Sequence, residues 1–511
     1  MATKAARTAS GKENVFARLW HKICDYFRPV GQAMVRGDWA TRLSFLITGF
    51  GYFFHGRDQE MIRHEVVHNE DGTSDLVTLK EHHYVTQWLR GLFYLIIEAL
   101  VVLVLVFWGI PNFAKLSLND LATCYVDENF DRICPKGYED NAFLILLLSI
   151  ISIVILVAFF FIHLGAIKGV YKSQCDIAEN KPIKSCKDDL KDLIDERFYV
   201  TVLALPVLGI ITFTLIPTVV MILIGFTNYG GLNENGATVQ VENFGWVGFK
   251  NWGELFAIGS SDFALVFGQQ LIWTLVWAFF ATFTCFFGGL LLALLLNSKR
   301  TRFTKVWRTG FVLTIAVPQF ISLMLIRYFL DDNGIVNSLL MQWNMIKEPI
   351  RFLTDPLTTK FTIIAVNCWV GFPYLMLMIS GILLNIPADL YESATIDGAG
   401  RVRMFWSITM PYIMQVCTPY LISSFVSNIN NFNVIYLLTM DGASSNQAYI
   451  NVSARESDLL ITWLYQMISA GAEKKYYLAS IVGIIMFVIS TTFTLITFNL
   501  TAGGKKERRL G

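Results

Sequence analysis

Two short runs place polar groups at helical spacing inside otherwise apolar stretches. In NCWVGFPY, Asn367, Gly371 and Tyr374 fall at i, i+4 and i+7, and Ser424, Asn428 and Asn431 repeat that spacing in SSFVSNINN. Side chains so spaced share one face of a helix. Carboxamides and hydroxyls pair with the hydroxyls of a polyol, while rings such as those of Trp369 and Tyr374 cover its apolar faces. The same asparagines serve equally well as interhelical glue, at about 0.6 kcal/mol per contact. The spacing alone leaves both roles open. Ser427 and Asn430 flank the second face.

Other chemistries find little support. There is no GxxxxGK[ST] loop to cradle phosphates, no CxxC metal spacing, and no carboxylate cluster at a membrane face such as a membrane glycosyltransferase needs. With a net charge of +1, no general affinity for nucleic acid is implied. Of eight cysteines, Cys124 and Cys134 share the loop 111–141, where the alternatives are a disulfide, if that side is oxidising, and two unpaired thiols. Glu98 and His163 lie inside the first two apolar runs and read as packing residues near helix ends rather than a proton relay.

The elements that must position these groups are membrane spans. The chain is 54% hydrophobic and only 16% charged over 511 residues, where a soluble protein carries roughly a quarter charged residues. Apolar runs predict eight spanning helices, at about 88–110, 142–164, 201–226, 263–297, 309–330, 361–385, 410–440 and 478–500. The run 43–54 is too short to span and predicts an interfacial helix or hairpin on the inner leaflet. The N-terminal MATKAARTASGKENVF has no apolar core and predicts no removable leader. Lys and Arg set the orientation: residues 1–87 carry 11, loop 164–200 carries seven and loop 298–308 five, against one in loop 227–262. Both termini are therefore expected inside. Pro206, Pro217, Pro318, Pro373 and Pro419 predict kinks, tolerated in lipid where neighbours or a cavity satisfy the freed carbonyls.

This topology puts YESATIDGAGRVRMFWSITMP, residues 391–411, in the cytoplasm. A short helix after Pro387 is expected, with Asp389 as candidate N-cap and Glu392 three residues on. Gly398 and Gly400 end it with angles other residues resist. A second helix then runs toward Pro411. Ala394, Gly398 and Ala399 give this projection a small-residue side that another protein can approach closely.

The segment resembles the EAA motif, E-A-A-x(3)-G-x(9)-I-x-L-P, of ABC importer permeases. Glu392, Ala394, Gly398, Ile408, Met410 and Pro411 take its places, with Ser393 for one Ala and Met410 for Leu. AVPQFIS, GFTNY and NINNFNVIYLLT extend the similarity, over about 201–500, to maltose/maltodextrin permease subunits of the MalF type. The resemblance implies an all-α polytopic protein with the type I ABC importer fold. It implies an N-terminal region 1–87, two accessory helices in 88–200, and a six-helix core 201–511 with a coupling helix at about 387–400. Glu392, Ala394, Asp397, Gly398 and Gly400 would couple it to an ATPase subunit.

By the same resemblance, Asn367, Trp369, Val370, Gly371, Tyr374, Asn428 and Asn431 match positions around the sugar. Ile315, Gln319 and Ser427 stand where the family has Tyr, Ser and Phe, and Gln319 and Ser427 join those seven as expected sugar contacts, nine in all. The implied partners are a second, related permease, an ATP-binding cassette ATPase dimer that holds the ATP, an extracellular sugar-binding protein and an oligosaccharide. No catalysis, metal or cofactor of the chain's own is implied. Gram-negative members carry a large folded domain where residues 227–262 stand here. The competing reading, an ion-coupled secondary sugar transporter, requires acids at midplane, and the six core spans hold almost none.

Overall fold

The computed structural model describes residues 15–55, 59–68, 74–83, 87–116, 125–126, 132–133, 141–179, 181, 183, 186–231, 244–257, 261–298, 300–440, 446–469 and 474–500. Cys124 and Cys134 lie outside them. The chain separates into two compact units, Met1–Val220 and Met221–Gly511.

The first unit holds α1 (Val15–Arg36), α2 (Trp39–Leu43), α3 (Gly51–His55), β1 (Gln59–His68), β2 (Ser74–His83), α4 (Trp88–Leu116), the two-residue strands β3 (Tyr125–Val126) and β4 (Arg132–Ile133), α5 (Ala142–Ala178) and α6 (Cys186–Ile194). Helix α7 (Phe198–Ile224) carries the chain into the second unit. The spans are all helix, as expected. The antiparallel pair β1–β2, from Gln59 opposite His83 to His68 opposite Ser74, lies outside them and was not anticipated. Its signal is Asp71-Gly72 between two runs bearing β-branched residues.

The run 43–54 takes the hairpin form of the two that its sequence allowed. Helices α2 and α3 form a hairpin whose tip, Thr48, is wholly buried. The Thr48 backbone N–H donates to Glu98 Oε2 at 2.8 Å, and its Oγ1 meets His163 Nδ1 at 2.7 Å. Glu98 lies ten residues along α4, about 15 Å from its start. At the base, Asp38 caps α2 through Thr41 N (2.8 Å) and meets His55 Nε2 at 2.8 Å. Glu98 and His163 therefore pin the tip of this hairpin, a more specific job than packing. Glu98→Leu is expected to strand the Thr48 N–H and lower the melting temperature by an amount equivalent to about 1–3 kcal/mol. Glu98→Gln keeps an acceptor and should melt near wild type with transport intact; transport lost in that variant would restore the proton-relay reading.

The second unit contains α8 (Trp252–Phe256), α9 (Asp262–Asn297), α10 (Thr304–Ala316), α11 (Gln319–Leu330), α12 (Ile335–Gln342), α13 (Pro356–Leu384), α14 (Ala388–Ile396), α15 (401–429), α16 (Phe432–Thr439), α17 (Gln447–Asn451), α18 (Leu460–Ser469) and α19 (Tyr476–Leu500). Helix α9 runs through its core. Trp277 and Phe286 are buried on it, with Met376 and Ile379 of α13 and Trp463 of α18 equally enclosed.

Among the described residues, six helices are long and apolar enough to cross a membrane: α4, α5, α7, α9, α13 and α19. The other two expected spans depart for physical reasons. Span 309–330 breaks at Val317–Pro318, where α10 and the segment Gln319–Gln342 meet at 96°. Proline lacks the N–H that would continue the helix and forces Val317 into extended backbone. Counted as one span, this bent pair makes seven. Span 410–440 becomes α15 and α16, parted at Asn430–Asn431, and its Gln, Thr, Ser and Asn side chains make α15 more polar than its neighbours.

Three prolines act by a different route. The five-residue π-turns Leu105–Gly109, Ile211–Leu215 and Phe405–Thr409 each end two residues before Pro111, Pro217 and Pro411. A proline ring collides with the carbonyl four residues back, and widening the preceding turn by one residue relieves the collision.

Candidate functional site

The second unit encloses a cavity of about 530 Å³ between α9, α13, α15 and the α10–α11 break. The break supplies one wall, from Thr314 to Gln319 and Ser322. Non-helical backbone at membrane depth persists only where it is buried or lines a cavity. Helix α13 supplies the facing wall with Asn367, Trp369, Val370, Gly371 and Tyr374, and α15 adds Tyr420, Ser424 and Asn428. A Cβ on Gly371 would come within 2.7 Å of Cys285 Sγ, so a larger residue would push α13 off α9.

The polar groups divide into held and free. Asn367 is almost fully buried and donates from Nδ2 to Cys285 Sγ at 3.4 Å. Asn428 donates from Nδ2 to Thr282 Oγ1 at 3.0 Å, while its backbone carbonyl accepts from Trp277 Nε1 at 3.1 Å. Trp369 and Tyr374 are about half exposed, at 48% and 51%. Among the described residues, no Asp, Glu, Lys or Arg lines the cavity. Of the nine residues expected around a ligand, Asn367, Trp369, Val370, Gly371, Tyr374, Asn428 and Gln319 line it.

Ser427 and Asn431 do not. Ser427 lies exposed elsewhere on α15. Asn431 is the N-cap of α16, accepting from Val434 N at 3.3 Å and donating to Asn428 Oδ1 at 3.2 Å. The expected i, i+3 partnership of Asn428 and Asn431 is thus a hydrogen bond between them. Their shared face survives only through Asn428, because the helix ends at Asn430.

A buried loop before α18 buttresses the same end of α9, and nothing in local spacing announced it. Trp273 Nε1 donates to Ser457 O at 3.1 Å, Gln270 Nε2 donates to Arg455 O at 2.6 Å, and Leu460 N donates to Thr274 Oγ1 at 3.1 Å. Arg455 closes the end of α16 with bonds to Thr439 O and Met440 O at 2.7 and 2.8 Å. Asp458, only 1% exposed, accepts from Arg455 N at 2.8 Å and from Gln466 Nε2 at 2.7 Å. Burial pushes its carboxyl up to about 6, against the opposing pull of those donors.

Between about pH 4 and 6 the native state therefore holds this proton more tightly than the unfolded state. Stability is highest at the acid end and falls as pH rises through that window, by something on the order of 3 kcal/mol, then levels. Asp458→Asn, which cannot ionise, should lose that slope. The check is the melting-temperature difference between wild type and variant from pH 4.5 to 7, and a pH-independent difference would refute it.

At the opposite end of the unit, α14 and α15 form the expected helix–turn–helix. The N-cap is Pro387 rather than Asp389, which falls in the first turn and there favours the helix dipole. The turn is closed by a Schellman motif: Ala399 N donates to Ala394 O at 2.9 Å and Gly398 N to Thr395 O at 3.0 Å. Gly398 has φ +79°, which only glycine adopts freely. Gly400, with φ −73°, needs no such freedom, contrary to expectation. Tyr391 OH and Thr409 Oγ1, 2.9 Å apart, clamp the two helices. Glu392 and Asp397 are exposed, and Ala394 is half-buried. Ile396, Val402 and Trp406, between 62% and 87% exposed, leave an apolar surface on the projection.

Among the described residues no group of three or more His, Cys, Asp or Glu converges to hold a metal ion. The family described as binding-protein-dependent transport system inner membrane component matches residues 285–503. The galactooligosaccharides transport system permease protein GanP of Bacillus subtilis (strain 168) is 30% identical, over 83% of this chain and 95% of that protein. The maltodextrin transport system permease protein MalC of Streptococcus pneumoniae serotype 4 is 29% identical, over 77% and 89%. MalF of Escherichia coli (strain K12) is 29% identical, over 53% and 57%. A crystal structure of a bacterial ABC transporter involved in the import of alginate superposes with a TM-score of 0.48 at 21% identity, over 61% of this chain and 97% of that one. With its apolar spans, its cavity and this likeness to GanP along most of both chains, the protein is a multi-pass component of the cell membrane and belongs to the family of binding-protein-dependent transport permeases.

Proposed function

We propose that this chain is the permease subunit of an ATP-driven importer for a neutral oligosaccharide of the maltodextrin or galactooligosaccharide class. The observation that carries the reading is the cavity lining: carboxamides, hydroxyls and two half-exposed aromatic rings, with no charged side chain. An acidic polysaccharide would need cations there, whereas a neutral sugar needs amides for its hydroxyls and rings for its apolar faces. The names of GanP and MalC support the same class of cargo.

The chain is a transport component and lacks a phosphate-binding loop of its own. ATP belongs to a partner ATPase dimer, docked on Glu392, Ala394, Asp397, Gly398 and Gly400 and on the exposed apolar residues beside them. Closure of that dimer draws α14 inward and switches the cavity from inward- to outward-open. A second, related permease completes the pore, and an extracellular binding protein delivers the sugar.

The test is co-purification with the genetic neighbours, followed by ATPase assays with binding protein loaded with neutral malto- or galacto-oligosaccharides, or with uronate oligomers. Stimulation by neutral sugars alone supports the reading. Stimulation by uronates alone, or ATP hydrolysis by this chain stripped of every partner, overturns it.

A further inference from the structure

We infer that the first unit carries a binding site for the phosphate headgroup of an anionic phospholipid, in a cavity separate from the sugar path. The cavity, of about 490 Å³, is lined by Arg90 of α4, Lys172 and Asp176 of α5, and Arg197 just ahead of α7. Among the described lining residues, three are cations and one is a carboxylate. Lys172 and Arg197 make no ion pair among the described residues, and both are exposed. Arg90 lies 5.1 Å over the Tyr52 ring, which holds its guanidinium at the cavity wall.

The location selects a lipid. Arg90 begins α4, Lys172 lies near the end of α5 and Arg197 precedes α7. These are the ends that the Lys and Arg distribution puts at the cytoplasmic face, where anionic lipids attract basic pockets between helices. Phe93 lines the cavity and is also 62% exposed. From it an exposed apolar row continues along α4 through Ile96, Leu100 and Leu103. A phosphate among the cations can therefore lay its acyl chains along that row. A soluble phosphate would have no use for it.

The experiment uses the assembled complex in phosphatidylcholine nanodiscs, with phosphatidylglycerol or inorganic phosphate added. Bound lipid is counted by native mass spectrometry and melting temperature is followed. Phosphatidylglycerol should be retained and raise the melting temperature. In Lys172→Gln/Arg197→Gln its affinity should fall roughly thirtyfold, at about fivefold per cation removed. Basal ATPase activity should be unchanged. Should that variant fail to fold, the charge-keeping exchange Lys172→Arg/Arg197→Lys is expected to retain the lipid. Equal retention by the neutralised variant, or an equal effect of phosphatidylcholine, overturns the site. An equal melting shift from inorganic phosphate, with no lipid retained, overturns the lipid assignment and leaves a soluble-phosphate site.

Discussion

Gly398→Pro and Glu392→Lys are each expected to abolish uptake while the chain still reaches the membrane. At φ +79° the Gly398 backbone lies in the left-handed region, and proline is fixed near −65°. The substitution also deletes the Gly398 N–H to Thr395 carbonyl bond, one of the two that close the turn. Helix α14 would then leave α15 at a different angle, moving Glu392, Ile396 and the rest of the projection off any docking partner. Glu392 is exposed, so its reversal costs the fold little and acts on the partner's surface alone. Gly400→Ala is the control. With φ −73° and open space around a built Cβ, it should keep the turn and membrane abundance, so any loss of uptake there reports the docking surface rather than the backbone. The measurements are uptake, membrane abundance and ATPase co-purification. Retained uptake and retained ATPase association in both Gly398→Pro and Glu392→Lys would remove the coupling role from this turn.

What could be read from the sequence follows the range of the interactions. Six of the eight apolar runs, the Gly398 turn and the helix after Pro387 depend on residues a few positions apart, and these stand where spacing predicted them. Pro318 was legible as a perturbation. Its consequence, a 96° bend that becomes a cavity wall, was not, because it depends on which helices pack against the exposed carbonyls. The three π-turns before Pro111, Pro217 and Pro411 relieve a local collision, yet Pro206, Pro373 and Pro419 sit within helices without one, so the prolines alone did not say where the turn would widen.

The buttress behind the cavity could not be read from local spacing. Gln270 meets Arg455 across 185 positions and Trp273 meets Ser457 across 184, distances at which periodicity carries no information. The hairpin tip has the same character: Thr48, Glu98 and His163 are unremarkable singly and become a unit only when α2–α3 folds against α4 and α5. The candidate site lies between these cases. Seven expected residues line one cavity, and the two that do not, Ser427 and Asn431, are those whose placement turns on where α15 ends.

That ending separates two outcomes for the polar residues. Trp369→Ala is expected to raise the sugar concentration needed for half-maximal ATPase stimulation by roughly tenfold or more, the equivalent of the apolar contact a buried aromatic ring supplies. Trp369 lines the cavity and is about half exposed, so the melting temperature should hardly move. Asn431→Leu is expected to do the reverse. It removes the cap on α16 and the donor to Asn428 Oδ1, costing about 1 kcal/mol of stability, and leaves the cavity wall in place. Asn431→Asp keeps the cap acceptor and should recover most of that loss. Asn428→Leu should show both effects, since this residue lines the cavity and also donates to Thr282. The deciding quantity is sugar-stimulated over basal ATPase activity per folded complex, measured beside the melting temperature. If Trp369→Ala left that ratio untouched at every sugar concentration while Asn431→Leu destroyed it at unchanged stability, the cavity would not be where the sugar binds, and the ligand contacts would have to be sought around the α15–α16 junction.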